Sequence, residues 1–263
     1  MPKSGDSTEL RATLHKRHKV LTALATTPQT KPQLIETVGL SRSTIDRAIN
    51  TLEEIGCIER HRGDYQLTQI GRVSLTEHER YKETMDGAVR ARDFLNALPD
   101  DAHIDPVFFN GVTVQAAAPH APESALEASI TQLETTDRLV GLAPVILSLY
   151  TDVLTSLVRD HGLQSEILLQ ESTLDSLREY YQDQFSAMDM TDHFDFYVTD
   201  QELPYALWIM ERDKHPLAGI TVHENGGVRG VLTNDSTDAV RWAREEYTQY
   251  LDHATRVTVD APQ

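Results

Sequence analysis

The residues with the clearest chemical use lie close together, between positions 41 and 65. Ser41, Arg42, Ser43 and Thr44 come first, Arg47 and Asn50 follow, and His61, Arg62 and Tyr65 close the set. Arginine can donate two parallel hydrogen bonds to guanine O6 and N7, and asparagine can bridge adenine N6 and N7. Hydroxyls gathered at a helix start, beside backbone N–H groups with no partner inside the helix, suit phosphate oxygens. The chemistry on offer is hydrogen bonding to base edges and phosphates, with no covalent step.

These side chains need a helix to present them. Ile45, Ala48, Ile49 and Leu52 recur at i, i+3, i+4 and i+7, so residues 42–55 predict a helix with one buried face. Its outer face then carries Arg42, Ser43, Asp46, Arg47 and Asn50. Ser41 is the expected N-cap and Gly56 the stop. Upstream, Leu10, Leu14, Leu21, Leu24 and Ala25 predict a helix over 9–26 that Pro28 ends. Thr30 caps a short second helix with Pro32 in its first turn and Leu34, Ile35 and Val38 inside. Gly39 supplies the left-handed residue that closes it, and Leu40 plugs the turn. Downstream, Cys57 to His61 alternates like a strand, Arg62-Gly63-Asp64 is a turn, and Tyr65 to Leu67 begins the return strand. Thr68 opens a helical region reaching about Leu98. The first helix also carries His15-Lys16-Arg17-His18-Lys19, either a phosphate-facing stripe or a solvated face. His15 and His18 could share a metal, but no third ligand stands nearby in sequence, and no metal site is expected.

Two short helices joined through Gly39 and followed by a hairpin resemble a winged helix-turn-helix, whose second helix enters the DNA major groove. The resemblance implies double-stranded DNA as partner. Arg42, Ser43, Arg47 and Asn50 would read bases, Arg62 and the Ser41–Thr44 hydroxyls would hold phosphates, and His61 and Tyr65 would complete the wing. Beyond it, Tyr81, Ala88 and Leu95 repeat every seven residues, as do Thr84, Ala91 and Leu98. They predict a homodimer seam, with packing against the same domain as the alternative.

The chain has 263 residues, enough for roughly two domains at ~150 residues each. The expected division is a winged helix over 1–80, a linker or dimerisation helix over 81–98, and an α/β sensor domain over 99–263. Cys57 is the only cysteine, which excludes an intramolecular disulfide and a cysteine-based zinc site. No run approaches the ~20 apolar residues of a membrane helix, and MPKSGDSTEL has no apolar signal core. A cytoplasmic protein with no membrane partner is expected. The net charge is -17 and is unevenly spread. Residues 1–80 hold 12 Lys/Arg against 10 Asp/Glu, a net +2, whereas residues 81–263 hold 12 against 31, a net -19. One end can therefore face a polyanion while the remainder repels it. Only six of the 24 cations are lysine, and this acid-rich, lysine-poor balance resembles the proteins of salt-accumulating halophilic archaea.

Strand patterns over 107–117, 138–146, 164–170, 193–199, 205–211, 216–223 and 228–233 alternate with helix patterns over 122–135, 149–161, 173–187 and 236–253. The central β-α-β-α-β run implies parallel strands. The last three strands read as an antiparallel meander turning at Asn225-Gly226-Gly227. The fold class is thus α+β, with a mixed sheet in the second domain. That domain has no Gly-x-x-x-x-Gly-Lys-Ser/Thr loop, no Gly-x-Gly-x-x-Gly, no Gly-x-Ser-x-Gly and no His-Glu-x-x-His. Neither enzyme activity nor a cofactor is expected. A pocket is expected at the C-terminal ends of the parallel strands, near Ala143, Pro144, Gln170, Glu171, Thr199 and Asp200. Pro144, Glu171, Asp200 and Arg229 are the candidate effector-binding residues, with Arg229 either a ligand partner or half of an internal ion pair. Trp242, Tyr247 and Tyr250 read as helix-on-sheet packing.

The second half carries a further resemblance. Phe109-Asn110-Gly111-Val112-Thr113 leads through Pro119 and Pro122, Leu203-Pro204-Tyr205-Ala206-Leu207 follows, and Gly227-Val228-Arg229-Gly230-Val231-Leu232 precedes Asp235, Ala239, Trp242, Ala243, Tyr247 and Tyr250. With the N-terminal segment, these resemble archaeal, often haloarchaeal, two-domain regulators whose sensor domain is named for methanogen filamentation regulators. The resemblance implies a DNA-binding transcriptional regulator that senses a small molecule or another signal. The strand order also resembles half of a phospholipase-D-like fold. Active enzymes of that fold need His-x-Lys, and none of the eleven histidines here has lysine two residues on. A protein-interaction adaptor, or an enzyme with a docking winged helix, remains the alternative.

Overall fold

A computed structural model describes residues 6–118, 120–189, 191–212, 215–224 and 226–257. Pro119 and Asn225, both singled out above, lie outside the described residues. The chain forms two compact units, Met1–Glu83 and Thr84–Gln263.

The first unit opens with α1 (Ser7–Thr26), α2 (Lys31–Val38) and α3 (Arg42–Glu54). Thr30 and Gln33 form a reciprocal capping box at the start of α2, and Gly39 closes that helix in the left-handed region at φ 68°. Ser41 then caps α3 by accepting the Thr44 N–H. The i, i+3, i+4, i+7 set of α3 is buried as expected, with Ile45, Ile49 and Leu52 at 0% exposure. Each such side chain contributes about 1.5–3 kcal/mol by leaving water. They pack on Leu14, Leu21 and Leu24 of α1 and Leu34 of α2.

The hairpin pairs β1 (Ile58–His61) with β2 (Asp64–Leu67), His61 opposite Asp64. Arg62 and Gly63 make the two-residue turn, both with positive φ, at 51° and 103°. That conformation matches the right-handed twist of the strands. Thr68 wraps the next helix onto the hairpin: its hydroxyl donates to the Gly56 carbonyl at 2.6 Å and accepts the Gly71 N–H at 3.1 Å.

The helical region expected to reach Leu98 is broken. α4 (Gln69–Arg90) ends at Ala91, and α5 (Arg92–Leu95) is a single turn. The break lets Ala91 and Phe94 both enter the core of the second unit, where Ala88, Leu95 and Leu98 also pack. Residues 84–98 therefore belong to that unit rather than to a separate linker. Four of the six residues expected to form a dimer seam are packed inside their own chain. Tyr81 is 63% exposed.

The second unit is an eight-stranded mixed sheet. Its strands are β3 (Thr113–Ala116), β4 (Arg138–Ala143), β5 (Gln164–Gln170), β6 (Phe194–Thr199), β7 (Ala206–Glu211), β8 (Leu217–Glu224), β9 (Gly227–Asn234) and β10 (Thr255–Arg256). The order is β10-β6-β5-β4-β7-β8-β9-β3. β4, β5 and β6 are parallel, and β7, β8 and β9 form the antiparallel meander. The crossovers are α7 (Ser148–His161), then α8 (Glu171–Tyr180) with α9 (Gln182–Asp189), where one helix over 173–187 is expected. α6 (Glu127–Leu133) follows a 3₁₀ turn at Pro122–Ala125.

Side chains alternate across the strands with period two. Val140, Leu142, Leu207, Ile209 and Ile220 face α10 (Thr237–Leu251), where Trp242 and Tyr247 are buried against the sheet. Leu139, Leu169, Phe196, Trp208 and Met210 face the crossover helices through Leu157, Leu174, Leu177 and Phe185. The expected strand over 107–117 begins instead with a 3₁₀ turn, Pro106–Phe109. Buried Asn234 fixes it by donating to the carbonyls of Phe108 at 2.8 Å and Asn110 at 2.7 Å.

Candidate nucleic-acid interface

The outer face of α3 is a short polar ridge. Arg42, Ser43, Arg47 and Asn50 are exposed, and Thr44 is half-buried. Arg47 donates its Nε to the Ser43 carbonyl at 3.2 Å, which steadies the side chain along the helix. Ser41 is committed locally: its hydroxyl lies 2.8 Å from that of Thr44 and 3.2 Å from that of Ser43. The ridge therefore begins with a hydroxyl cluster at the helix N-terminus, where backbone N–H groups and the helix dipole favour anions.

Asp46 would repel phosphate if it stood free on this face. Lys31 of α2 holds it at 2.8 Å, and the ammonium keeps the carboxyl below its usual range. Sequence reasoning passed over Lys31. The pair joins two helices, and its partners lie fifteen residues apart with no helical spacing to announce them.

The hairpin tip exposes His61 and Arg62. Tyr65 corrects the sequence-based expectation. It is 5% exposed, with the Arg60 guanidinium 5.9 Å from its ring centre. The alternation of β2 turns Tyr65 and Leu67 inward, and the Tyr65 backbone pairs with Gln29. Tyr65 packs inside the first unit and anchors the hairpin, and is not exposed at its tip.

In α1, His15, Lys16 and Lys19 are exposed, and His18 lies 3.4 Å from Glu79. The structure adds His78 of α4 to this group, its ring centre 5.5 Å from that of His18 and 6.0 Å from that of His15. Burial, then the nearby His18 and His15, hold the His78 imidazole below its ordinary pKa. Among the described residues, no cluster of three or more His, Cys, Asp or Glu is arranged to hold a metal.

The second unit contains a cavity of about 120 Å³ on the crossover-helix side of the sheet. Ala143 lines it, as do Ile146 and Leu147 of the following loop, Tyr150 of α7, and Trp208, Thr221 and His223 of the meander. Pro144, Glu171, Asp200 and Arg229 do not line it. The Pro144 carbonyl accepts the Thr173 hydroxyl at 2.9 Å, and Glu171 and Asp200 are exposed at strand ends. Arg229 pairs with Glu224 at 2.6 Å, the internal ion pair of the two readings above. The end of β4 was the part of the pocket legible in sequence. The rest of the wall comes from the neighbouring strands β5 to β8 and the helices α6 to α9; no local pattern reveals that β7 pairs with β4 and β8 with β7.

Helices with a polar ridge in one unit and a mixed sheet with an apolar cavity in the other define a two-unit α+β protein. The chain belongs to the family described as "Methanogenesis regulatory protein FilR1, middle domain", whose model matches residues 122–253. Residues 5–90 match the model described as "HVO_A0261 N-terminal domain". No curated protein matches the chain. Among solved structures, the chain is similar to TrmBL2, an archaeal chromatin protein, at 13% identity and TM-score 0.41, covering 91% of this chain and 93% of that one. It is also similar to NucT from Helicobacter pylori, at 14% identity and TM-score 0.41, over 56% of this chain and 98% of that one. Likenesses of this strength carry no functional weight. No helix among the described residues is long and apolar enough to cross a membrane.

Proposed function

We propose that this protein is an archaeal DNA-binding transcriptional regulator. Its first unit acts as a winged helix-turn-helix, and its second receives a small-molecule signal. The observation that carries this reading is the α3 ridge, in which Arg42, Ser43, Arg47 and Asn50 are exposed over a buried face and the one acid among them is neutralised by Lys31. Such a helix fits the major groove, with Arg62 and His61 of the hairpin at the adjacent backbone. Membership of a family described as regulatory supports the assignment.

The protein acts in the cytoplasm as a homodimer and catalyses no reaction. Exposed apolar residues of α4 in the first unit, Ile70, Val73 and Tyr81, are the contact offered to a second copy. Two-fold pairing would set two α3 helices about one DNA turn, ~34 Å, apart. Selection of genomic fragments by the purified chain, at low and molar salt, tests the reading. A shared two-fold symmetric sequence is the expected result. A folded protein that enriches no sequence at either salt would overturn it.

A further inference from the structure

We propose that the apolar cavity of the second unit is a binding site for a small uncharged molecule bearing one hydroxyl group on a hydrocarbon ring or short chain. This deepens the signal-receiving role proposed above and rests on it for its physiological meaning. The binding claim itself stands on the cavity.

Three observations define the ligand class. The first is charge. Among the described residues no Lys, Arg, Asp or Glu lines the cavity, and its walls are hydrocarbon over nearly their whole area, from Leu139, Leu154, Ile167, Leu169, Phe196 and Met210 among others. A phosphate, carboxylate or ammonium brought here would lose its hydration with no counter-charge to replace it. The second is size. The cavity volume of about 120 Å³ is close to that of engineered apolar cavities of roughly 150 Å³, which stay dry and take up benzene.

The third is the polar inventory. The Tyr150 hydroxyl is paired with Ser129 at 2.7 Å, and the Thr151 hydroxyl donates to the Leu147 carbonyl at 3.0 Å. Thr221 accepts the Trp208 Nε1–H at 3.2 Å. The Nδ1 of His223 is buried and has no partner among the described residues. Ser165 Oγ and Arg212 Nε are likewise unpaired, but neither residue lines the cavity. Burial lowers the His223 pKa, against a smaller opposing contact with the Gly227 backbone, and favours the neutral ring, whose unpartnered Nδ1 can meet a hydroxyl. The pairing of β8 with β9 also slips between Val222 and His223, the kind of irregularity that re-aims a side chain.

The cavity carries its own reporter. Trp208 lies flat on the sheet because β8 has glycine beneath it: a Cβ at Gly219 would fall 2.0 Å from the indole Cζ2. The other tryptophan, Trp242, packs on the opposite face against Phe108. The test is a fluorescence titration of full-length Trp242→Phe protein, in which Trp208 alone emits. The probes are cyclohexanol, methylcyclohexane and cyclohexanecarboxylate. Saturable change with cyclohexanol, weaker binding of methylcyclohexane and none of the carboxylate are expected. His223→Phe should erase the preference for cyclohexanol over methylcyclohexane, up to about tenfold for one neutral hydrogen bond. Ala143→Leu, which fills the cavity, should abolish binding of both. No saturable change with either neutral probe, equal binding of the carboxylate, or unaltered binding in Ala143→Leu would overturn the proposal. The titration needs no DNA, so failure of DNA recognition leaves its outcome readable.

Discussion

Replacing Arg47 by alanine separates base reading from a generally basic surface. The Arg47 side chain is exposed, and inside the protein it makes one bond, from Nε to the Ser43 carbonyl at 3.2 Å. Truncation leaves no cavity and strands no buried charge, so stability should change by no more than about 0.5 kcal/mol. On DNA the loss is larger. A guanidinium seated on guanine O6 and N7 discriminates by about 1–3 kcal/mol, a factor of about 5 to 150 in Kd. The assay is fluorescence anisotropy with the selected operator and with a scrambled duplex of equal length. Arg47→Ala should lose affinity for the operator and little for the scrambled duplex. Arg62→Ala should weaken both alike and reduce the salt slope by about 1, as expected for a phosphate contact. An Arg47→Ala protein that keeps its full operator-to-scrambled ratio would refute the assignment of α3 as the base-reading element.

Three other outcomes follow from particular contacts. Lys31→Ala frees the Asp46 carboxylate on the α3 ridge, and anisotropy should show weaker binding to every duplex, while melting changes little because the pair is solvent-exposed. Gly219→Ala drives a methyl group into the Trp208 ring; overpacking of this kind costs about 1–3 kcal/mol, read as a lower melting temperature with a shifted Trp208 emission. Acidification should destabilise the protein through His78 and His223, both held below the ordinary histidine value of 6.5 by burial. Their contribution is present above about pH 6.5 and is lost as the pH falls through the lowered values, because the unfolded chain then binds more protons. Melting scans at pH 7.5 and 5.5 should show the decline, and His78→Gln should make it shallower.

Local rules were enough for the helix boundaries and the outer face of α3 in the first unit. Thr30 and Gly39 fix where α2 starts and stops, and Ser41 where α3 starts, since capping and the left-handed turn depend on residues within three or four positions of each other. The spacing of Ile45, Ala48, Ile49 and Leu52 fixes which face of α3 is outward, and with it Arg42, Arg47 and Asn50 as the exposed ridge. Period-two and helical patterns also place β4 to β9 and their parallel and antiparallel portions.

Other outcomes required the assembled fold, because they depend on residues far apart in the chain. Tyr65 is a hairpin residue by sequence, yet its inward turn is set by β2 pairing and by Gln29. Asp46 reads as a free acid on the outer face of α3 until Lys31 pairs with it from a neighbouring helix. The heptad of Ala88, Ala91, Leu95 and Leu98 is equally consistent with a partner chain or with its own core, and the break at Ala91 turns it to the core. The cavity is the clearest case. Its walls come from β4 to β8, α6 to α9 and the loop after β4, and the nitrogen left without a partner among the described residues belongs to a histidine that looks ordinary in the sequence. Sequence determines the local geometry of each element through steric and hydrogen-bonding preferences of near neighbours. Which polar atoms end buried without a partner is decided only when distant elements pack.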